Sequence, residues 1–363
     1  NETRRGGNKF DLQPHESDIT EQTKHIINSG GIAYDLGWSG YKNKISLFAS
    51  VQHIDRNSYY GAQRDPYAYG STDDLTWVAG ATYTGQMERC LFSPATFTGG
   101  LEYQENRLHD VMTGYKRDMR QNVRIASAFV QNEWDIDIFS LLVGARLDKH
   151  NLIKSPIFSP RVNLLFKPSQ SFQARLTYST GFRAPQAYDE DLHVTAVGGE
   201  GVLITLADNL REERSNSYSG SVDYTTSFGH WAANILVEGF YTGLDHVFIL
   251  EDMGHNAEGY AIKERRNGSG ARVYGANLDA KLAHGKEAVF SLGFTAQRSR
   301  YNTPEAWSED KDGNPLTTSR MMRTPDYYGY FTFTSAPVKN FDFSLSGTYT
   351  GDMIVPHYAG YIA

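Results

Sequence analysis

A two-residue alternation, repeated along almost the whole chain with charges on one face only, limits the fold more than any other feature. Tyr274, Ala276, Leu278, Ala280 and Leu282 alternate with Gly275, Asn277, Asp279 and Lys281. Successive side chains of a strand point to opposite faces, so this segment has one apolar face and one polar face. Phe172, Ala174, Leu176 and Tyr178 alternate in the same way with Gln173, Arg175, Thr177 and Ser179. About fourteen such segments follow one another, the first around Ile32, Tyr34 and Leu36 and the last around Phe341, Phe343 and Leu345. Arg146, Asp148, Arg161, Arg175, Glu238, Asp279 and Lys281 fall mid-segment on the polar face.

A soluble sandwich also alternates, with its apolar face against a second sheet. The connections separate the two architectures. Short links at 39–43, 134–137, 167–171, 226–230, 283–287 and 336–340 take turns with long ones at about 53–72, 107–119, 149–158, 181–212, 250–268 and 301–321. Short turns on one side and long loops on the other are the signature of an outer-membrane barrel. Aromatic residues stand near the segment ends, among them Trp38, Tyr41, Trp134, Phe228, Trp231, Tyr327 and Tyr328, as the two interfacial girdles require. The expected fold is therefore all-β, an antiparallel transmembrane β-barrel, and residues 1–363 form one domain with helix limited to single turns such as 189–194.

Composition agrees with this. Gly (34), Tyr (23) and Phe (19) are abundant, and they suit twisted strands and tight turns. Mean hydropathy is −0.50, low because barrel strands need apolar residues only at alternate positions. A net charge of −7 argues against nucleic acid as a partner. The single cysteine, Cys90, permits no internal disulfide and reads as an inert side chain.

The segment ending at Tyr178 runs into Gly181-Phe182-Arg183-Ala184-Pro185, and no comparable alternation is expected before about Ser215. A second box, Asp208-Asn209-Leu210-Arg211-Glu212-Glu213, precedes that return. Upstream stand Phe129-Val130-Gln131-Asn132-Glu133-Trp134, Gly144-Ala145-Arg146-Leu147-Asp148 and Ser159-Pro160-Arg161. With these ordered landmarks the chain resembles the barrels of TonB-dependent outer-membrane receptors, with loops of a Bacteroidetes flavour. It departs from the family pattern where the second box lacks both prolines. The resemblance implies about twenty-two strands, so about fourteen would be a partial wall, open at its edges. Both ends look cut, and the family's plug domain and C-terminal strands are expected to lie outside this sequence.

The resemblance further implies energy-coupled import across the outer membrane of a Gram-negative cell. The cargo would be a small organometallic nutrient: ferric siderophore, haem or cobalamin. Outer-membrane lipid, the TonB complex acting through the plug, and a candidate surface lipoprotein would be the partners. No enzymatic chemistry, resident cofactor or metal is expected. A passive porin-like or structural barrel is the competing reading. In the boxes, Gly181, Phe182, Arg183, Ala184, Pro185, Asn209, Leu210 and Glu213 are expected to shape the loop base, with Arg183 tied to acids such as Asp189 or Glu190. His193 lies between the boxes, where haem receptors of the family place an axial ligand; an ordinary loop histidine is the plainer reading. Tyr188, Tyr59, Tyr60, Arg64, Tyr67, Tyr69 and Trp307 are candidate ligand contacts, since Tyr and Arg offer rigid surface and donors. Strand ends reaching beyond the membrane would explain the tyrosines equally. Arg146, Arg161, Arg175, Glu238, Asp279 and Lys281 are expected to face the lumen, towards a plug and water or in ion pairs along the wall. Asp310-Lys311-Asp312-Gly313-Asn314 lacks the distant glutamate of a calcium loop and reads as a solvated turn.

Overall fold

A computed structural model describes residues 2–6, 9, 11–17, 19–61, 64–185, 202–255, 261–309 and 314–355. In chain order the strands are β1 (Glu2–Gly6), β2 (Ile19–Trp38), β3 (Asn43–Tyr60), β4 (Tyr69–Cys90), β5 (Ser93–Met112), β6 (Arg117–Ile136) and β7 (Phe139–His150). They continue with β8 (Ile157–Phe166), β9 (Phe172–Arg183), β10 (Val202–Leu206), β11 (Glu213–Phe228), β12 (Trp231–Asp245) and β13 (Phe248–His255). The last are β14 (Ala261–Asn267), β15 (Ala271–His284), β16 (Ala288–Glu309), β17 (Pro315–Arg320), β18 (Tyr327–Val338) and β19 (Phe341–Thr350). Two single turns of 3-10 helix, Pro14–Glu16 and Thr113–Tyr115, are the helices among the described residues.

Sixteen strands make one antiparallel sheet in the order β1-β2-β3-β4-β5-β6-β7-β8-β9-β11-β12-β15-β16-β18-β19, with β17 paired on β16. Each segment read from the alternation is one strand of this wall. Among the described residues β1 and β19 are not paired with each other, so the wall is open. Three strands were not legible in the alternation of the loops. β10, β14 and β13 form a separate small sheet, β10 parallel to β14 and β14 antiparallel to β13. The expectation of unpaired chain up to Ser215 is corrected by β10, whose apolar residues alternate for too few positions to stand out.

Register fixes the two faces. Leu176, Gly220, Gly239, Ala276 and Ala296 lie in one cross-strand row. The neighbouring rows on that face carry Ile235, Val237, Leu278 and Phe294. Leu101 is 65% exposed and Leu176 62% exposed, and among the described residues no second sheet covers them. A soluble protein would hide such a surface, and one this large marks contact with an apolar medium. From Trp231 to Tyr241 the strand rises about 33 Å, or about 25 Å at a tilt near 40°. That matches the apolar band of an outer-membrane barrel. Lower girdle contacts include Phe139–Phe166 at 5.0 Å and Phe92–Trp134 at 5.6 Å. The upper row includes Trp77–Tyr103 at 5.1 Å and Tyr178–Tyr218 at 5.0 Å.

The strands overshoot this band. β4 has 22 residues, against about ten needed to cross. The expected long links therefore shrink: 53–72 becomes 61–68, 107–119 becomes 113–116 and 149–158 becomes 151–156. Beyond the upper girdle the outer face meets water and no longer has to be apolar. Hydrogen-bond pairing continues there while the alternation that advertised it stops. The wall's buried hydrophobic cluster also lies up here, where Tyr59, Ala68, Met112 and Tyr115 pack together.

Candidate functional site

The long-loop end of the wall is the candidate site, and the two boxes form its base. Glu213 pairs with Arg183 in the β9–β11 register. Arg183 Nε donates to Glu213 Oε2 at 2.5 Å, and the Phe248 amide donates to Glu213 Oε1 at 2.5 Å. The Arg183 guanidinium also sits over the Phe248 ring, 4.9 Å from its centroid. Glu213 thus ties the first box to the start of β13. The acid seen on Arg183 is Glu213; Asp189 and Glu190 lie outside the described residues. The second box is seated by Asn267 at the end of β14. Its Oδ1 accepts from the Arg211 amide at 2.8 Å, and its Nδ2 donates to the carbonyls of Arg211 (2.9 Å) and His246 (2.8 Å). The Leu210 amide turns back on Ala207, and the Ala207 amide donates to Arg265 at the end of the β10–β14 ladder. Burial alone would oppose ionisation of Glu212, yet hydrogen bonding from Arg214 holds its carboxyl below the usual range. Asn267 and Phe248 were missed from sequence, because side-chain-to-backbone seating across 56 residues leaves no local signal.

Gly181 is closely approached by one side chain, since a Cβ there would stand a tight 3.0 Å from Ser215 Oγ. Phe182, Ala184, Pro185, Asn209 and Leu210 lie along the same base. His193 and Tyr188 lie outside the described residues. Trp307 is in β16, and its side chain is not described.

The tyrosine cluster divides in two. Tyr59 and Tyr60 are buried, which removes them from the exposed ligand surface expected of a loop. They belong to β3, and Tyr59 packs 4.9 Å from Tyr69. Tyr67 is 66% exposed, and Tyr69 presents its hydroxyl to His15 Nδ1 at 2.8 Å. Arg64 is exposed and holds a left-handed φ of 63°. Gly114 lies so close beneath this turn that a Cβ there would collide with the Tyr67 carbonyl oxygen. Asp65 accepts from the Tyr67 amide at 2.8 Å and from the Tyr115 hydroxyl at 2.6 Å. The tip is therefore pinned, with Tyr67 and Arg64 outward.

On the inner face Arg146 donates to Asp148 and Glu102, each at 2.8 Å, and Ser127 donates to Asp148 at 2.6 Å. Glu238 accepts from Asn277 at 3.0 Å, and Thr295 donates to Asn277 at 2.9 Å. Arg175 stands in the same row as Glu238, and Arg161 lies opposite Ser179. Asp279 and Lys281 lie on β15 opposite Leu236 and Asn234. Among the described residues, Arg161, Arg175, Asp279 and Lys281 make no side-chain hydrogen bond or ion pair. Four charges without partners on the wall, facing away from lipid, require water or another protein surface in front of them.

Residues 3–361 match the family described as TonB dependent receptor-like, beta-barrel. This chain belongs to that family. The receptor is an outer-membrane β-barrel protein, and the family's members are transporters rather than enzymes. It is 28% identical over 225 residues to the iron-regulated outer membrane virulence protein of Vibrio cholerae serotype O1, covering 60% of this chain and 33% of that protein. Its fold is similar to the siderophore receptor PirA of Pseudomonas aeruginosa (TM-score 0.70, 15% identity, 91% of this chain and 57% of that one). It is equally similar to a double mutant of the Serratia marcescens haemophore receptor HasR, solved with its haemophore HasA and haem (TM-score 0.70, 15% identity, 91% and 59%). The receptor chain thus spans a third of the curated relative and under three fifths of these two structures.

Proposed function

We propose that this receptor imports a scarce iron chelate, a ferric siderophore or haem, with TonB supplying the energy through a plug seated against the inner face. The observation that carries this reading is the inner face itself. Arg161, Arg175, Asp279 and Lys281 present charge there with no partner on the wall. A polar protein domain inside the barrel would complete them, and so would a lumen of water. The receptors that resemble it in fold are named for siderophore and haemophore binding, and its curated relative is named for iron regulation. The external base, built by Glu213 and Asn267 from two separate loops, is a rigid frame on which ligand contacts can be carried. Tyr67, Arg64, Tyr188, His193 and Trp307 are the candidate contacts, with His193 the axial ligand if the cargo is haem.

Uptake by a deletion strain tests this. Loss of the protein should abolish growth on haem or on one siderophore as the iron source, and loss of TonB should do the same. Unchanged growth on every iron chelate overturns the reading. Uptake that persists without TonB leaves the passive porin-like alternative. His193→Ala with unaltered haem binding removes the axial-ligand role.

A further inference from the structure

On the outer face of β15–β18, arginine accumulates where the apolar band ends. The row Tyr178, Tyr218, Tyr241, Tyr274, Arg298 crosses five strands in register and marks the upper girdle. The next outward-facing row above it places Arg272 opposite Arg300, and Arg300 opposite Arg320. Like charges directly opposite one another on a sheet repel. Asp326 is the carboxylate that answers them among the described residues. It lies 3.4 Å from Arg298, 3.5 Å from Arg300 and 3.3 Å from Arg320. Arg272 is exposed and makes no side-chain hydrogen bond or ion pair among the described residues. Three guanidiniums therefore share one carboxylate beside a fourth, Arg272, that has none among the described residues, and the patch has room for further negative charge.

Directly below the girdle row the same strands carry the smallest side chains of the wall, Gly220, Gly239, Ala276 and Ala296, in one cross-strand row. The two glycines floor an apolar trough of about 560 Å³ on β8–β12 that extends to Leu164 and Leu176, with Tyr178, Tyr218 and Tyr241 at its upper rim. A Cβ on Gly239 would meet nothing within 4 Å. A cationic patch at head-group height on β15–β17 thus flanks a slot at acyl-chain depth on β8–β12.

We propose that this surface holds one phosphorylated glycolipid of the outer leaflet. The phosphate would sit among Arg272, Arg298, Arg300 and Arg320, and an acyl chain would lie in the Gly220–Gly239 trough. Guanidinium is suited to the task because its fork of donors matches phosphate oxygens. Height selects the lipid over a soluble anion, since the arginines flank the tyrosine row that marks the head-group level.

Native mass spectrometry of the protein purified from outer membranes in detergent tests the proposal. The probes are the phosphorylated glycolipid, the same lipid after enzymatic dephosphorylation, and inorganic phosphate as competitor. Retention of the phosphorylated form should exceed that of the dephosphorylated form by about tenfold, the effect of one charge-assisted hydrogen bond. Arg272→Gln, an exposed position whose change spares the fold, should reduce that preference markedly, and R272E/R300E should abolish it. Gly239→Leu should weaken retention of both lipid forms. Unchanged heat-modifiability on gels verifies that each variant is folded. Equal retention of the two lipid forms, or an Arg272→Gln protein that binds as the wild type does, overturns the phosphate site. Displacement by inorganic phosphate at lipid-like concentrations would make it a plain anion site and overturn the lipid assignment. A Gly239→Leu protein with wild-type retention overturns the trough.

Discussion

Below the upper tyrosine rows and above them, the same strands solve two different problems. In the band, the outer face is predominantly apolar, buried side chains are scarce, and backbone ladders with surrounding lipid hold the sheet. In the extensions of β2–β6, both faces carry charge and a packed interior returns. Tyr59, Tyr60, Leu108, Met112, Tyr115 and Val123 are all buried there. So are Arg56, Thr72 and Asp110, linked by hydrogen bonds of 2.6 Å from Arg56 to Thr72 and 2.5 Å from Thr72 to Asp110. Arg117 closes the set at 3.2 Å from Asp110. A strand in water must build its own core, whereas a strand in lipid is stabilised from outside and must keep polar atoms off one face.

The sharpest way to break this contrast is at Asp110. Replacing it by Ala leaves two arginines facing each other, at a local cost of about 3–5 kcal/mol. Limited proteolysis should then cut the 61–68 and 113–116 links, while heat-modifiability of the band stays intact. Loss of the whole barrel instead would mean that the two regions fold as one unit. In the band the matching change is Val237→Lys, close to mid-height between Trp231 and Tyr241. It should destabilise the barrel in lipid vesicles by about 2–4 kcal/mol in urea titration. The same lysine at outward-facing Asn57 in the extension should be near neutral.

Smaller effects sharpen the boundary. Glu213→Gln removes the charge partner of half-exposed Arg183 and weakens the anchor of Phe248. A loss of about 1 kcal/mol should appear as faster amide exchange along β13, with β11 unaffected below Tyr218. The smallest effect concerns His150, buried at the end of β7 past the girdle. Its Nδ1 accepts from the Leu152 amide at 3.0 Å, and burial lowers its pKa from the ordinary histidine value. The unfolded chain therefore takes up the proton more readily than the folded one. The stability this contact gives is whole above about pH 6.5 and is lost as the pH falls through the lowered pKa. Exchange at Leu152 should accelerate on acidification relative to amides in the band, and a pH-independent ratio would contradict the assignment.

Much of the wall was legible because lipid imposes a rule that every residue on one face must obey. Leu278 and Asp279 need no distant partner to declare their faces. The short links were equally legible, since turns are local. The extensions were not, because Asp73, Arg107 and Lys24 satisfy pairing without any alternation to mark it. At the candidate site the boxes stood out, but their partners did not. Arg183 finds Glu213 from 30 residues away, and Arg300 finds Asp326 only through strand pairing.

The sequence by itself determined the all-β class, which face of each long strand meets lipid, and the side on which the loops lie, since all three follow from residue-by-residue transfer between lipid, lumen and water. Only the tertiary structure decided how far the strands rise above the membrane and that two loops join in a second, small sheet. It alone gathered Arg298, Arg300 and Arg320 around one carboxylate and set Arg272 beside them. Those outcomes depend on cross-strand register, and register brings together residues that no local pattern connects.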